Sequence, residues 1–363
     1  MTRLVVLGST LEAGLTALHR GLRATPGLRI LAAWGFERSL QWIAIVGYVV
    51  ALVWAAATSW PGTSPGPSWI ADTKHYYGAG ERLNVGHYLY RYSAGDRMLS
   101  DDPFAFAGPF LYPPLLGVLW RPLALLPFEP TVFVWWLSGL VVCSATVVWL
   151  IARGGWAPAI GTLLLLVPLS LTAWSGNVQA FLTPLVALSW VWLARGRERL
   201  VGSVLGFGSV LKLSPVFLAW WLLATGRTKA AGFALLAALV GFGVALVGAG
   251  WTSHLEYLEV ARTVSRFGGT EASLGGILRS AGASQEVRSL VPVVVAVGGS
   301  IAVFALRRRH RVAWSVAVVT AVLASTVMNL TNVSLLLAAF VPWGNWRETL
   351  EPAGRSPGTG SGT

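Results

Sequence analysis

Apolar residues fall in long windows near residues 39–58, 109–127, 131–152, 157–174, 178–194, 200–224, 230–249, 289–306 and 313–343. Several of these run about 20 residues with almost no charge, roughly the length a helix needs to cross hydrocarbon, so the pattern predicts membrane spans. The connections between them assign sides. Basic connections at Arg153, at Arg195, Arg197 and Arg199, at Arg227 and Lys229, and at Arg307, Arg308, Arg309 and Arg311 are all expected on the cytosolic side. A conflict follows, because single crossings by every window would place some of these basic loops outside.

Two windows resolve it by entering and leaving on the same side. Residues 109–127 contain Pro113, Pro114, Pro122 and Pro127 with Arg121 among them, and residues 200–224 contain Lys212 and Pro215 near the centre. Proline removes a backbone donor, and non-helical backbone at membrane depth survives only when buried in protein or lining a wet cavity. Both windows therefore read as broken, re-entrant helical hairpins. The stretches 59–108, 175–178, 250–288 and 329–332 then fall outside, and both termini inside. The expected organisation is a cytosolic lead-in over residues 1–36, one all-α, multi-spanning membrane domain over 37–345 and a disordered cytosolic tail over 346–363 rich in Gly, Ser and Pro. The first 34 residues, broken by Arg3, Arg20, Arg23 and Arg29, lack the continuous apolar core and cleavage site of a signal peptide. The stretch from His254 to Arg266 is basic and amphipathic and reads as an interfacial helix.

Composition agrees: 55% of the residues are hydrophobic and only 12% charged, too few for a soluble domain of 363 residues. The net charge of +12 sits in short runs between apolar segments and not on one face, which excludes a nucleic-acid partner and leaves the lipid bilayer. Cys143 is the single cysteine, so no disulfide framework and no cysteine-based zinc site are available. No spaced His/Asp/Glu set argues for a metal, and no cofactor is expected.

Candidate chemistry gathers in one place, since the chain's four aspartates, Asp72, Asp96, Asp101 and Asp102, all lie in the first outer loop. Asp72 stands in Ala71-Asp72-Thr73-Lys74-His75-Tyr76-Tyr77, where a carboxylate could deprotonate an acceptor hydroxyl while cations stabilise a departing phosphate. It could equally cap a loop helix or pair with Lys74. Asp96, Asp101 and Asp102 read as turn formers, the last two preceding Pro103. Lys212, one of three lysines, is an ionisable group at membrane depth and so a candidate phosphate ligand, or else a buried ion pair or snorkelling side chain. Asn177 and Gln179 could bind sugar hydroxyls or hold an outer turn, and Glu271 lies in the last large outer loop.

These segments, in this order, resemble glycosyltransferase family 87. The residues that carry the resemblance are ADTKHYYGAGERLNVGHYLY from Ala71 to Tyr90, YPP at Tyr112 to Pro114, PLALLP at Pro122 to Pro127, GNVQ at Gly176 to Gln179, LKLSP at Leu211 to Pro215 and SLGGILR at Ser273 to Arg279. The resemblance implies a GT-C fold with an extracytoplasmic active-site loop in the plasma membrane. It also implies inverting transfer of a sugar, mannose at the family level, from a polyprenyl-phosphate donor to an envelope glycolipid or polysaccharide, with Asp72 as general base. On that basis Lys212, His75 and Arg82 are candidate ligands of the donor phosphate, and Tyr76, Tyr77, Asn177, Gln179, Tyr112 and Glu271 of sugar or acceptor. At Ala324 to Ser334 the chain reads ASTVMNLTNVS, without the Pro, Trp and His that many members carry in the late span. The alternatives are an arabinofuranosyltransferase using the same donor type and, from other classes, a transporter or flippase of lipid-linked saccharide or a non-catalytic scaffold. The clustering of acidic residues on one side favours the enzyme.

Overall fold

The structure is a computed structural model, and it describes residues 35–58, 71–91, 110–266, 273–326 and 328–346. Helices α1 (Phe36–Thr58), α2 (Ala71–Asn84) and α3 (Pro114–Trp120) are followed by α4 (Phe128–Gly154), α5 (Trp156–Leu164), α6 (Leu166–Trp174) and α7 (Gln179–Ala194). Then come α8 (Glu198–Leu211), α9 (Val216–Ala224), α10 (Thr228–Arg266), α11 (Leu274–Ser280), α12 (Gln285–Ala305) and α13 (His310–Leu323), and the short α14 (Leu330–Val333) and α15 (Leu337–Phe340). Among the described residues there is no strand. Asp96, Asp101, Asp102, Glu271, most of the lead-in and most of the tail lie outside the described residues.

Four helices, α1, α4, the apolar part of α10 and α12, are long and apolar enough to cross a membrane, yet only 17, 28, 22 and 6% of their apolar windows is buried. Apolar surface left open on that scale needs lipid as its solvent. The inverse holds for α7, which is apolar all round and buried along nearly its whole length. Behind it, Trp190, Trp221 and Trp314 are fully buried and meet edge to face or tilted, with centroids 5.0–5.9 Å apart. This is a multi-spanning membrane protein with its shorter, broken helices inside.

Both proline-containing windows are broken. In the first, α3 starts at Pro114 after Pro113 and ends after seven residues, because the chain then meets Pro122 and a short 3-10 turn over Leu123–Leu125. In the second, Lys212 leaves helical geometry at φ −156° and ψ 120°, and α9 restarts after Pro215. Its two ends return to one another, with the Arg227 guanidinium 3.8 Å from the Glu198 carboxylate.

A further window is sharply bent. Residues 157–174 read as a single span, but α5 and α6 are bent by 78° at Leu165. Pro168 lacks the N–H that would bond the carbonyl of Leu164, so the ladder has a gap there, and apolar side chains on both sides conceal it in the sequence. The window ending at residue 249 also continues: α10 runs on through the stretch read as interfacial, after a kink at Gly250, whose φ of +77° only glycine adopts cheaply.

The basic connections converge at one end of the molecule. Arg195 covers the Trp149 ring, Trp149 stacks on Trp346, Glu37 accepts from Asn345, and His310 meets Trp221 beside Arg227. Asp72 and the turns after α3 and α6 occupy the other end.

The closest helix pair, α8 on α10, depends on small residues. A Cβ on Gly202 would fall 2.1 Å from the Ala230 carbonyl, and one on Gly206 would fall 2.0 Å from that of Ala234. Backbone atoms cannot swing aside, and such small-xxx-small contacts let helices approach where no hydrophobic drive separates lipid from protein. Gly206→Val is expected to cost about 2 kcal/mol or more by overpacking, read as a lowered Tm in detergent. Gly232→Ala, where no atom lies within 4 Å of the added Cβ, leaves the Tm unchanged.

Candidate functional site

Asp72 lies in the first turn of α2 and Arg82 in its last, the polarity that complements the helix dipole. The helix is held in place from below. Tyr76 is fully buried, its ring edge-on to Tyr112 at 5.1 Å and beside Trp120 and Trp135. Its hydroxyl accepts from the Val178 N–H at 3.1 Å. Thr73 donates to the Gly176 carbonyl at 3.2 Å, and Trp135 donates to the same oxygen at 2.8 Å. Gly176 takes φ +65° to turn the chain there.

That turn presents Asn177, which is completely buried. Its Nδ2 donates to Asp72 Oδ2 at 2.9 Å and contacts the Tyr112 hydroxyl at 3.0 Å, while its Oδ1 accepts from the Gln179 N–H at 2.7 Å. The last bond satisfies an orphan donor at the start of α7 and fixes which end of the amide faces Asp72. Tyr112 Oη donates to Asp72 Oδ1 over 3.3 Å. Each carboxylate oxygen thus receives one neutral donor, and Asp72 stays partly exposed. A hydrogen bond to a charged group contributes about 1.5–3 kcal/mol, enough to hold the carboxylate in one orientation.

Lys212 approaches from the opposite side of the same tyrosine, its Nζ 5.6 Å above the Tyr112 ring. The ammonium donates to Gln179 Oε1 at 3.0 Å and to Asn332 Oδ1 at 2.5 Å. Gln179 in turn donates to Thr183 Oγ1 at 3.0 Å, and Thr183 meets Ser334 Oγ at 2.8 Å. Tyr112 therefore joins a carboxylate to a cation.

A cavity of ≈ 350 Å³ opens from that cation. Tyr112, Gln179, Lys212 and Asn332 form its polar floor, with Ser214, Ser325 and Asn329 nearby. Leu213, Val216, Phe217, Ala296 and Val322 form apolar walls between α9, α12 and α13. Tyr257, on the α10 segment beyond the kink, lines it too. That segment is tied across the site, since Arg91 meets Glu256 at 2.5 Å and Tyr90 packs against Tyr257.

The structure thus brings Asp72, Tyr112, Asn177, Gln179 and Lys212 together, supported by Tyr76. Other candidates lie elsewhere. Arg82 is ten residues further along α2, about 15 Å at the helical rise, and its guanidinium donates to the carbonyls of Tyr88 and Arg91. It closes a loop and does not face the cavity floor. Tyr77 donates to the Leu126 carbonyl at 2.7 Å and packs on Phe128, on another face of α2. His75 is half-buried, and burial holds its pKa below the ordinary 6.5 although Asp72 opposes the shift. The shift favours the neutral imidazole, which could still offer a ring N–H to a phosphate. Asn332 was not singled out from the sequence. Its signal was a pair of asparagines, Asn329 and Asn332, in an otherwise apolar final window.

Two curated proteins are similar to this chain. Both are named polyprenol-phosphate-mannose-dependent alpha-(1-2)-phosphatidylinositol pentamannoside mannosyltransferase. The protein of Mycobacterium tuberculosis (strain CDC 1551 / Oshkosh) is 26% identical over 270 residues, 70% of this chain and 61% of that protein. The protein of Mycolicibacterium smegmatis (strain ATCC 700084 / mc(2)155) is 25% identical over 289 residues, 74% of this chain and 66% of that protein. The chain thus spans about two thirds or less of each relative's length. No solved structure matches. The family model of glycosyltransferase family 87 matches residues 110–337, a stretch that holds Tyr112, Asn177, Gln179, Lys212 and Asn332, and the chain belongs to that family.

Proposed function

We propose that this protein transfers a glycosyl group, mannosyl by likeness to its relatives, from a polyprenyl-phosphate sugar to a glycolipid or polysaccharide acceptor at the extracytoplasmic face of the membrane. The observation that carries this reading is the shared wall of Tyr112, with the partly exposed Asp72 carboxylate at its hydroxyl and the Lys212 ammonium over its ring. A base and a cation held in one site are what a single displacement at an anomeric carbon requires.

In the proposed reaction an acceptor hydroxyl attacks the anomeric carbon and its proton passes to Asp72. The bond from that carbon to the phosphate oxygen breaks, and its electron pair leaves with the phosphate, whose negative charge Lys212 stabilises. One displacement inverts the configuration. The apolar walls beside α9, α12 and α13 suit the start of a prenyl chain. Charge supports the face proposed: the named basic connections lie away from Asp72, and positive loops tend to stay cytosolic. Asn177 acts here through Asp72, because its amide is already committed.

The test is transfer of radiolabelled mannose from polyprenyl-phosphate mannose to a phosphatidylinositol mannoside by membranes containing the protein. Wild type is expected to be active and Asp72→Asn, at equal expression, slower by about 10²–10⁴-fold, the usual contribution of a general base. Full activity in Asp72→Asn overturns the mechanism; activity only with a polyprenyl-phosphate arabinose keeps the mechanism and changes the sugar. Asn177→Ala removes one hydrogen bond to the carboxylate and is expected to lower kcat by about 10–100-fold. The neutral His75 gives a separate signature. The unfolded imidazole binds its proton at higher pH than the folded one, so stability is full above the ordinary value of 6.5 and falls as pH drops through it toward the lowered folded value. Tm measured against pH should show this loss in wild type and a flatter profile in His75→Gln.

A further inference from the structure

The elements that supply the hydrogen-bond partners of Lys212 hold no carboxylate, and Asp72 faces it only across Tyr112. The stretches 130–197, 199–255 and 287–347, which supply α7, α9, α13 and α14, contain neither aspartate nor glutamate. Its two hydrogen-bond partners, Gln179 Oε1 and Asn332 Oδ1, are neutral amide oxygens. A buried ammonium ordinarily pairs with an anion, because desolvation is costly and an opposite charge offsets it. Here dipoles and the face of Tyr112 do so instead.

The orientation of this arrangement is fixed by a closed ring of hydrogen bonds. Ser334 donates its proton to the Thr331 carbonyl at 2.6 Å. Its contact with Thr183 at 2.8 Å therefore uses the Thr183 proton, and Thr183 Oγ1 is left to accept from Gln179 Nε2. The Gln179 oxygen must then face Lys212. On the other side Thr172 donates to the same Thr331 carbonyl at 3.0 Å and holds α14, the helix that carries Asn332, against α6. Two helices, α7 and α14, are locked so that each offers an uncharged oxygen to one ammonium.

We propose that Gln179 and Asn332 form a charge-neutral clamp that holds the Lys212 ammonium at the cavity floor without a direct ion pair, so that a direct partner of opposite charge is supplied by the phosphate of a bound lipid. Asn332 is thus a positioning residue, and its value lies in being an amide and not an acid. This rests on the reading of Lys212 as the phosphate ligand. A carboxylate at either clamp position would form an internal ion pair and compete with the ligand. An amide orients the ammonium and leaves its field intact. The clamp also favours the product side of the reaction, because the leaving lipid phosphate carries more negative charge than the sugar diester it came from.

The experiment measures binding of farnesyl phosphate to the full-length protein in detergent, with Tm alongside, for wild type, Asn332→Asp, Asn332→Ala, Gln179→Glu and Lys212→Met. Asn332→Asp is expected to weaken binding at least ten-fold while its Tm holds or rises. Asn332→Ala, which loosens the ammonium but leaves its charge, is expected to weaken binding less than five-fold. Gln179→Glu repeats the Asn332→Asp result from the other helix and decides the matter if Asn332→Asp fails to fold. Equal loss in Asn332→Ala and Asn332→Asp, or a loss that only follows Tm, overturns the neutral clamp. Undiminished binding by Lys212→Met removes Lys212 from the phosphate site and overturns the clamp with it. Loss in Lys212→Met with none in Asn332→Asp and Gln179→Glu overturns the clamp alone.

Discussion

An ammonium set among apolar helices has to be answered by something, and much of the inner half of this molecule is arranged around that requirement. Lys212 can sit there because the chain stops being helical at that residue, so its extended backbone aims the side chain across α7 toward α14. Pro215 favours the break, since it lacks the N–H that would bond the Leu211 carbonyl. The break frees backbone carbonyls that hydrocarbon cannot solvate, which restricts such a turn to a place lined by protein and cavity. Polar side chains of α7 and α14 then collect on the same spot. The lysine and the break require each other.

Tyr112 is the second consequence. A phenol ring offers a face that attracts a cation and a hydroxyl that can donate to a carboxylate, so one side chain separates Lys212 from Asp72 and keeps both in place. Without such a wall the two charges could close into an ion pair and leave the site inert. The tyrosine is itself fixed from behind by Tyr76 and along its backbone by Tyr90, whose hydroxyl reaches the Tyr112 carbonyl at 2.6 Å. Pro113 and Pro114 immediately after it preset the backbone where α3 begins.

The parts legible in the sequence were those that depend on local chemistry. Prolines and an intramembrane charge marked both helix breaks, and long uncharged runs marked α1, α4, α10 and α12. The bend at Leu165 was hidden because periodicity reports which residues are apolar and not which direction the axis takes. Asp72 was visible as one of four aspartates in a chain otherwise without them, and Lys212 as a charge out of place. Their surroundings were not. Asn177 lies 105 residues from Asp72 and Asn332 lies 120 from Lys212, and no local rule pairs positions so far apart. Arg82 shows the opposite case: a cation two residues short of a helix end looks available, and the fold turns it toward the carbonyls of Tyr88 and Arg91.

The different settings of the two charged groups have a chemical logic under the proposed reaction. A general base that has taken a proton must release it before the next turnover, and a carboxylate reached by solvent can do so without any further group. Asp72 is partly exposed, in the first turn of a helix outside the long spans. The cation has the contrary requirement, because its effect on a leaving phosphate grows as water is excluded. Lys212 stands between two amides and an aromatic face, where a bound lipid that fills the cavity would exclude water from it. Placing the base on an outer helix and the cation at the break of an inner one leaves a single tyrosine in contact with both.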